Sequence, residues 1–318
     1  MRIIIPGGSG HLGTLLARAF RADGHDVVVL SRRPAPAPWR VVAWDGRTVG
    51  PWISELDGAD VVINLAGRSV DCRYTPENRR EIMASRIEST RVVGQALAAC
   101  ERPPHSWLQA STATIYAHRY DAPNDELDGV IGGNEPGAPE TWRFSIDVAR
   151  AWEAAATEAA RASPRTRLVL LRAAIVMSPG RGGAFATLLR LARAGLGGPV
   201  AGGGQFVSWV HDHDLLRALY WLIDRTELAG AVNIASPNPL PYREFMRELR
   251  RAARMPIGLP ASRWMLEIGT WVLRTESELV LKSRRVVPRR LLESGFTFEH
   301  PEWGVAVREL VSRGTRSA

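Results

Sequence analysis

Residues 2–20 read "RIIIPGGSGHLGTLLARAF", and this stretch decides the fold. A short apolar run of three isoleucines runs straight into a glycine-rich turn, and a helical pattern follows. Gly7, Gly10 and Gly13 have the spacing that a bound dinucleotide requires. One glycine permits the tight turn, one lets the backbone approach a pyrophosphate, and one packs helix against strand. The helix N-terminus and its dipole then face the phosphates, so Ser9, His11 and Leu12 are expected in the same cradle. The next apolar run ends "VVVLSRRP". A site for NAD presents Asp or Glu at this place, to hold the ribose 2′-hydroxyl. Here Ser31, Arg32 and Arg33 stand instead, and guanidinium groups bind a 2′-phosphate that a carboxylate would repel. The expected cofactor is therefore NADP(H).

Outward from this turn, apolar runs alternate with amphipathic stretches. "RIIIP" (2–6), "DVVVL" (26–30), "DVVINLA" (60–66), "SWLQAS" (106–111), "RLVLLRAA" (167–174) and "GAVNIAS" (230–236) read as strands buried on both faces, as in a parallel sheet covered by helices. Helices are expected over 11–22, 76–101, 146–162 and 214–225. The second begins with Thr75 as N-cap and Pro76 at the first helical position. The order predicts an α/β fold, a Rossmann-type doubly wound parallel sheet. The expected division is a nucleotide-binding domain over 1–240 and a small, mainly helical C-terminal subdomain over 241–310. Residues 113–141, rich in Gly, Pro, Asn and Asp, follow a strand end and read as a substrate lid.

Composition narrows the classes of function. The 318 residues are 45% hydrophobic and 23% charged, which is ordinary for a globular protein. No apolar run is long enough to span a bilayer, and the opening isoleucines are too few for a signal peptide. Cys72 and Cys100 are the only cysteines, too few for a disulfide framework, and the expected setting is the cytoplasm. The formal charge is +8, and of 41 basic residues only Lys282 is lysine. Residues 241–318 carry 15 basic and 9 acidic side chains, densest in "KSRRVVPRR" (282–290). No nucleic-acid motif accompanies that cluster, so it reads as a solvated face or the rim of an anionic-ligand site.

Together "GGSGHLG", "LSRRP", "VINLAG", "SRIESTRVV", "AWEAAATEA", "SWVHDHDL", "NIASPNP" and "VVPRRLLESGFTF" make the sequence resemble the extended and atypical short-chain dehydrogenase/reductases. Within them it is similar to the NAD(P)-dependent, nucleoside-diphosphate-sugar-epimerase-like branch, whose C-terminal domain has no known function. The resemblance implies that Leu65, Ala66 and Gly67 of "NLAG" pack the cofactor. It puts Arg86 where relatives carry a cofactor-proximal asparagine, with Glu81 to orient it. "QASTATIYA" resembles the relatives' "SSATVYG", which places Thr112 on the catalytic Ser/Thr position and Thr114 on a substrate-binding hydroxyl. Ala174 and Ile175 are expected over the nicotinamide.

One pair is missing. Aligning Glu153 with the last residue of the relatives' "YxxxKxxxE" leaves Ser145 on the tyrosine and Ala149 on the lysine. In relatives that tyrosine moves the substrate proton and the lysine lowers its pKa. Tyr116 is the first substitute by sequence position; His118, Tyr120, Asp125 and Glu126 lie nearby. His211, Asp212 and His213 tempt a metal reading, but neighbours in a strand diverge, so no metal site is expected. Asp214 reads as a helix cap. Most of the eleven tryptophans are expected in the core, with Trp142, Trp152, Trp264 and Trp271 candidates for an apolar cleft. The expectation is an NADP(H)-dependent oxidoreductase or epimerase-like enzyme acting on a small molecule. The alternative is a non-catalytic, redox-responsive NADP(H)-binding module.

Overall fold

A computed structural model of the chain describes residues 1–135, 139–180, 182–261 and 278–316. Seven parallel strands form the central sheet: β1 (Arg2–Pro6), β2 (Asp26–Ser31), β3 (Arg40–Ala43), β4 (Val61–Asn64), β5 (Ser106–Thr112), β6 (Arg167–Ala173) and, after three short strands, β10 (Gly230–Ile234). Their order is β10-β6-β5-β4-β1-β2-β3. The chain thus winds outward from β1 to β3, crosses back to β4 and winds the other way. Ligands bind such sheets at that reversal, beyond the carboxyl ends of the strands.

Strand side chains alternate between two cores, as the period of a strand demands. Ile3, Ile5, Val27, Val29, Val61 and Ile63 pack with Leu16 and Phe20 of helix α1 (His11–Ala22) and with Leu215, Leu219 and Leu222 of α5 (Asp212–Asp224). Ile4, Val28, Leu30 and Val62 pack the other way, against Val92, Val93 and Leu97 of α2 (Pro76–Ala99) and Ala156 of α3 (Glu140–Ala160). Both faces are covered, so the runs read as continuously apolar. Thr75 caps α2, its hydroxyl accepting from the Asn78 N–H at 3.2 Å.

A third core lies at the C-terminal side. Phe185 and Leu189 of α4 (Ala184–Arg193) pack with Phe245, Met246 and Leu249 of α6 (Tyr242–Ala252) and with Trp303, Val307 and Leu310 of the last helix, Trp303–Arg316. Phe245 stacks on Trp303 with ring centroids 4.0 Å apart and an interplanar angle of 10°. The short strands β7 (Ile175–Met177) and β9 (Trp209–His211) pair in parallel, while β8 (Phe206–Val207) pairs antiparallel to β11 (Leu240–Pro241).

Three expectations are corrected. β3 carries no apolar signature because its side chains at the sheet edge are half-buried or exposed. Helix α3 begins at Glu140 rather than 146, directly after Pro139. Asp214 does not cap α5; His211 does, its ring accepting from the His213 N–H at 3.1 Å. Trp264 and Trp271 lie outside the described residues.

Candidate active site

Two adjoining cavities, of about 590 and 350 Å³, open at the carboxyl ends of β1, β2, β4 and β5, and Gly7 and Gly10 line both. Gly7 has φ +74°, and a side chain there would put Cβ 2.6 Å from the Ala66 backbone. The turn after β1 and the turn after β4 can approach this closely only because Gly7 lacks one. A Cβ on Gly13 would lie 2.3 Å from Gly8 Cα, so Gly13 lets α1 press against its own entry turn. Gly10 caps α1 with no side-chain hydrogen bond. An α-helix leaves its first N–H groups without intrahelical partners, and these form an anion cradle. His11 and Leu12 of the first turn line the second cavity, and Ser9 the first.

The larger cavity runs toward Ser31, Arg32, Arg33 and Arg47. Ser31 is buried; its hydroxyl donates to Arg33 O (3.0 Å) and is hydrogen-bonded to the Ser9 hydroxyl (3.1 Å), latching the arginine turn to the glycine turn. Two carboxylates share the rim. Asp45 accepts from the Thr48 hydroxyl and from the N–H groups of Arg47 and Thr48, and these bonds hold its carboxyl down to about 2. Glu88 pairs with Arg47 at 2.8 Å. Arg32 and Arg33 have no carboxylate partner among the described residues and face solvent at the mouth. Two guanidinium groups without carboxylate partners are complementary in charge to a doubly charged anion.

Along the smaller cavity stand Leu65, Ile82, Arg86, Ala110, Ser111, Thr112, Thr114, Val148 and Trp152. Ala66 and Gly67 line the larger. Arg86 donates to the carbonyls of Arg68 (3.0 Å) and Ile82 (3.1 Å) and lies 4.9 Å over the Trp152 ring. Burial pushes its guanidinium down to about 10. Glu81 does not orient it: Glu81 pairs with Arg68 of the loop after β4 and lines neither cavity. Arg86 thus presents a half-buried positive charge that no carboxylate among the described residues pairs with. Thr112 Oγ1 accepts the Thr114 N–H at 3.2 Å and keeps its proton to donate into the cavity.

Tyr116, Ala174 and Ile175 are not brought to the cleft. Tyr116 is 2% exposed; its hydroxyl donates to Asn233 Oδ1 (2.9 Å) and accepts from Arg172 (2.9 Å). Burial raises its pKa. It is a structural prop, which removes it from the proton-transfer candidates. Ala174 and Ile175 are tied through their N–H groups to Ile234 O and Ser208 O. Among the described residues of the 113–141 stretch, only Thr114 lines either of these two cavities. Its middle part is clamped by the basic cluster: Arg289 pairs with Asp128 (2.6 Å) and Asp125 (3.5 Å), and Ser283 N–H donates to His118 (2.7 Å). These contacts pack residues 118–128 against residues 283–289, which is not the arrangement expected of a lid.

Four residues to which the linear order assigned no catalytic or binding role complete the cleft. Ser145, on the position of the relatives' tyrosine, donates to Glu278 Oε2 at 2.5 Å and lies 3.5 Å from the Tyr74 hydroxyl. Arg284 Nε donates to Thr114 Oγ1 at 3.3 Å, and its Nη2 is 3.9 Å from the Glu278 carboxylate. Lys282, fully buried behind them, donates to Thr114 O at 2.9 Å and sits 3.8 Å from Glu278. Burial, reinforced by Arg284, pushes its ammonium down to about 8. The only lysine is thus remote from α3 in sequence and close to the cleft in space. The basic run 282–290 was the available signal, but which of its members turn inward is decided by packing.

The glycine turn at the sheet's reversal, the arginine rim and the hydroxyls at the end of β5 define a Rossmann-type dinucleotide-binding protein of the short-chain dehydrogenase/reductase architecture. The profile of the NAD dependent epimerase/dehydratase family matches residues 3–235, and that of a domain of unknown function, DUF1731, matches residues 261–310. The chain belongs to the NAD dependent epimerase/dehydratase family. It is 31% identical to the epimerase family protein SDR39U1 of Bos taurus over 98% of this chain and 100% of that one. It is 28% identical to the epimerase family protein YfhF of Bacillus subtilis over 98% of each. The crystal structure of human SDR39U1 with NADPH superposes with a TM-score of 0.83 at 29% identity, covering 98% of this chain and 99% of that one.

Proposed function

We propose that this protein is an NADP(H)-dependent oxidoreductase or epimerase-like enzyme of the atypical short-chain type, acting on a small-molecule substrate. The observation that carries the reading is the turn after β2, where Arg32 and Arg33 stand at the mouth of the cavity that Gly7 and Gly10 line, with no carboxylate partner among the described residues. The NADPH in the human SDR39U1 crystal supports it. Gly7, Gly10 and Gly13 cradle the pyrophosphate, Arg32 the 2′-phosphate, and Leu65, Ala66, Gly67 and Arg86 the intervening surface. The nicotinamide, when bound, supplies or accepts the hydride.

The proton is handled by this chain's own groups. Thr112 donates a hydrogen bond to the substrate oxygen. Ser145, already bonded to Glu278, passes a proton between that oxygen and the Glu278 carboxylate. The C-terminal part of the chain thereby replaces the absent tyrosine and lysine.

Arg32→Ala is expected to weaken NADPH binding about 10- to 100-fold, the loss of one charge-assisted contact, and to leave NADH binding unchanged. Paired fluorescence titrations measure this; an unaltered preference would refute the phosphate assignment. Glu278→Gln is expected to lower turnover at least about 100-fold without changing NADPH affinity. A panel of carbonyl compounds offered to the NADPH-saturated protein provides the assay. If wild type reduces none of them and Thr112→Val alters nothing measurable, the non-catalytic binding module becomes the better account.

A further inference from the structure

Away from the cleft, "HDHD" (211–214) opens helix α5, and the fold gives it a partner that the sequence does not reveal. Because His211 caps the helix, residues 211–213 turn a corner instead of continuing a strand. His213 then meets the turn before the last helix: its Nδ1 lies 3.1 Å from Glu299 Oε2. His300 follows immediately. One nitrogen or oxygen from each of His213, Glu299 and His300 lies within 4.8 Å of the others.

The turn and two of the three side chains are held in place by their neighbours. Asp214, fully buried next to His213, accepts the backbone N–H of Glu299 at 2.8 Å and of His300 at 2.9 Å. One carboxylate thus clamps the turn that carries the other two groups onto the helix that carries the first. Arg217 holds the remaining Glu299 oxygen at 3.1 Å, leaving Oε2 toward His213. The His300 ring stacks on His211 with centroids 3.9 Å apart, and His211 is fixed in turn by Glu309 at 2.9 Å. His300 Nδ1 is buried and has no hydrogen-bond partner among the described residues. Buried polar atoms are rarely left so, and an ion bound at this cluster would supply the missing partner.

We propose that His213, Glu299 and His300 bind a divalent transition-metal ion of the zinc class. Two imidazoles and one carboxylate suit Zn²⁺ or Co²⁺, whereas Mg²⁺ and Ca²⁺ take oxygen ligands almost exclusively. Donors about 2.0–2.1 Å from a tetrahedral ion lie about 3.4 Å from one another. His213 and Glu299 already meet that spacing. The side chains of both are about half exposed, at 46% and 50%, so small rotations about their outer bonds close the remaining gap without breaking the Arg217 contact. Arg217 opposes a cation here, but Asp214 lies 3.3 Å from it and offsets its charge, so Glu299 leaves the cluster net negative. Three protein ligands leave a fourth position for water. The ion cross-links α5, which covers the nucleotide-binding sheet, to a turn 86 residues further along the chain. This inference is independent of the catalytic reading.

The test uses full-length, untagged protein stripped of metal by a chelator and titrated with Zn²⁺ by calorimetry and with Co²⁺ by visible absorption. One ion per chain is expected, with a Co²⁺ spectrum free of thiolate charge transfer. His213→Ala and His300→Ala should each weaken affinity more than about tenfold, as loss of a ligand does, and the double variant should not bind. His105→Ala, which removes an exposed imidazole elsewhere, should bind as wild type does. Far-UV circular dichroism establishes that each variant is folded, and Glu299→Gln, which can keep the Arg217 contact, tests the carboxylate without disturbing the turn. Absence of one-to-one binding, a thiolate band, or undiminished binding in the folded double variant would overturn the proposal.

Discussion

Gly10→Ala is expected to lower NADPH affinity at least about 100-fold while leaving the melting temperature within a few degrees of wild type. Gly10 has φ −74°, which alanine adopts without strain, and an added Cβ would meet only Gly7 O, at an ordinary 3.7 Å. The protein therefore tolerates the methyl group, and the pyrophosphate expected against Gly10 does not. Gly13→Ala is the contrasting case. Its Cβ would lie 2.3 Å from Gly8 Cα and 2.6 Å from Gly8 O, and backbone cannot yield as a flexible side chain does. Overpacking of this kind costs about 1–3 kcal/mol or more, so Gly13→Ala should lose stability and cofactor together. Parallel fluorescence titration and thermal melts separate the two. Wild-type NADPH affinity in Gly10→Ala would mean that the pyrophosphate lies elsewhere.

Glu153→Ala is expected to destabilise the fold by about 3–5 kcal/mol, the usual result of stranding a buried charge. Arg172 and Glu153 form a two-pronged pair on β6 and α3, at 2.8 and 2.7 Å, with side chains only 12% and 11% exposed. Burial by itself would lower the Arg172 pKa, and the hydrogen bonds and charge of Glu153 more than reverse this. Removing the carboxylate leaves a guanidinium in the core. It also frees the cleft-lining Ser111, whose hydroxyl donates to Glu153 at 2.5 Å, and loosens the Arg172 contact to Tyr116. Glu153→Gln, which can keep some of these bonds, should cost less. Urea unfolding checks both; a loss below about 1 kcal/mol in Glu153→Ala would show that water reaches Arg172.

The cofactor side of the site was legible because its requirements are local. Gly7, Gly10 and Gly13 act through backbone geometry within one turn, and Arg32 follows directly on β2, so spacing along the chain is spacing in space. Strands buried on both faces announce themselves as continuous apolar runs. β3 escaped because an edge strand needs no such run. Glu81 and Tyr116 misled for a different reason: each lies at a plausible sequence distance from its supposed target. Glu81 instead satisfies Arg68, and Tyr116 satisfies Asn233 and Arg172.

What the sequence by itself determined is the doubly wound sheet, the glycine turn at its reversal and the positive rim beside it. Each follows from periodicity or from the conformational demands of a few adjacent residues. What only the tertiary structure decided are the groupings drawn from distant segments. Glu278, Lys282 and Arg284 reach Ser145 and Thr114, and Glu299 and His300 reach His213, across separations of 86 to 170 residues. No pattern along the chain encodes these meetings. They arise because the C-terminal segments must bury Phe245, Trp303 and Leu310 against the rest of the molecule, and that packing carries the charged side chains to their partners.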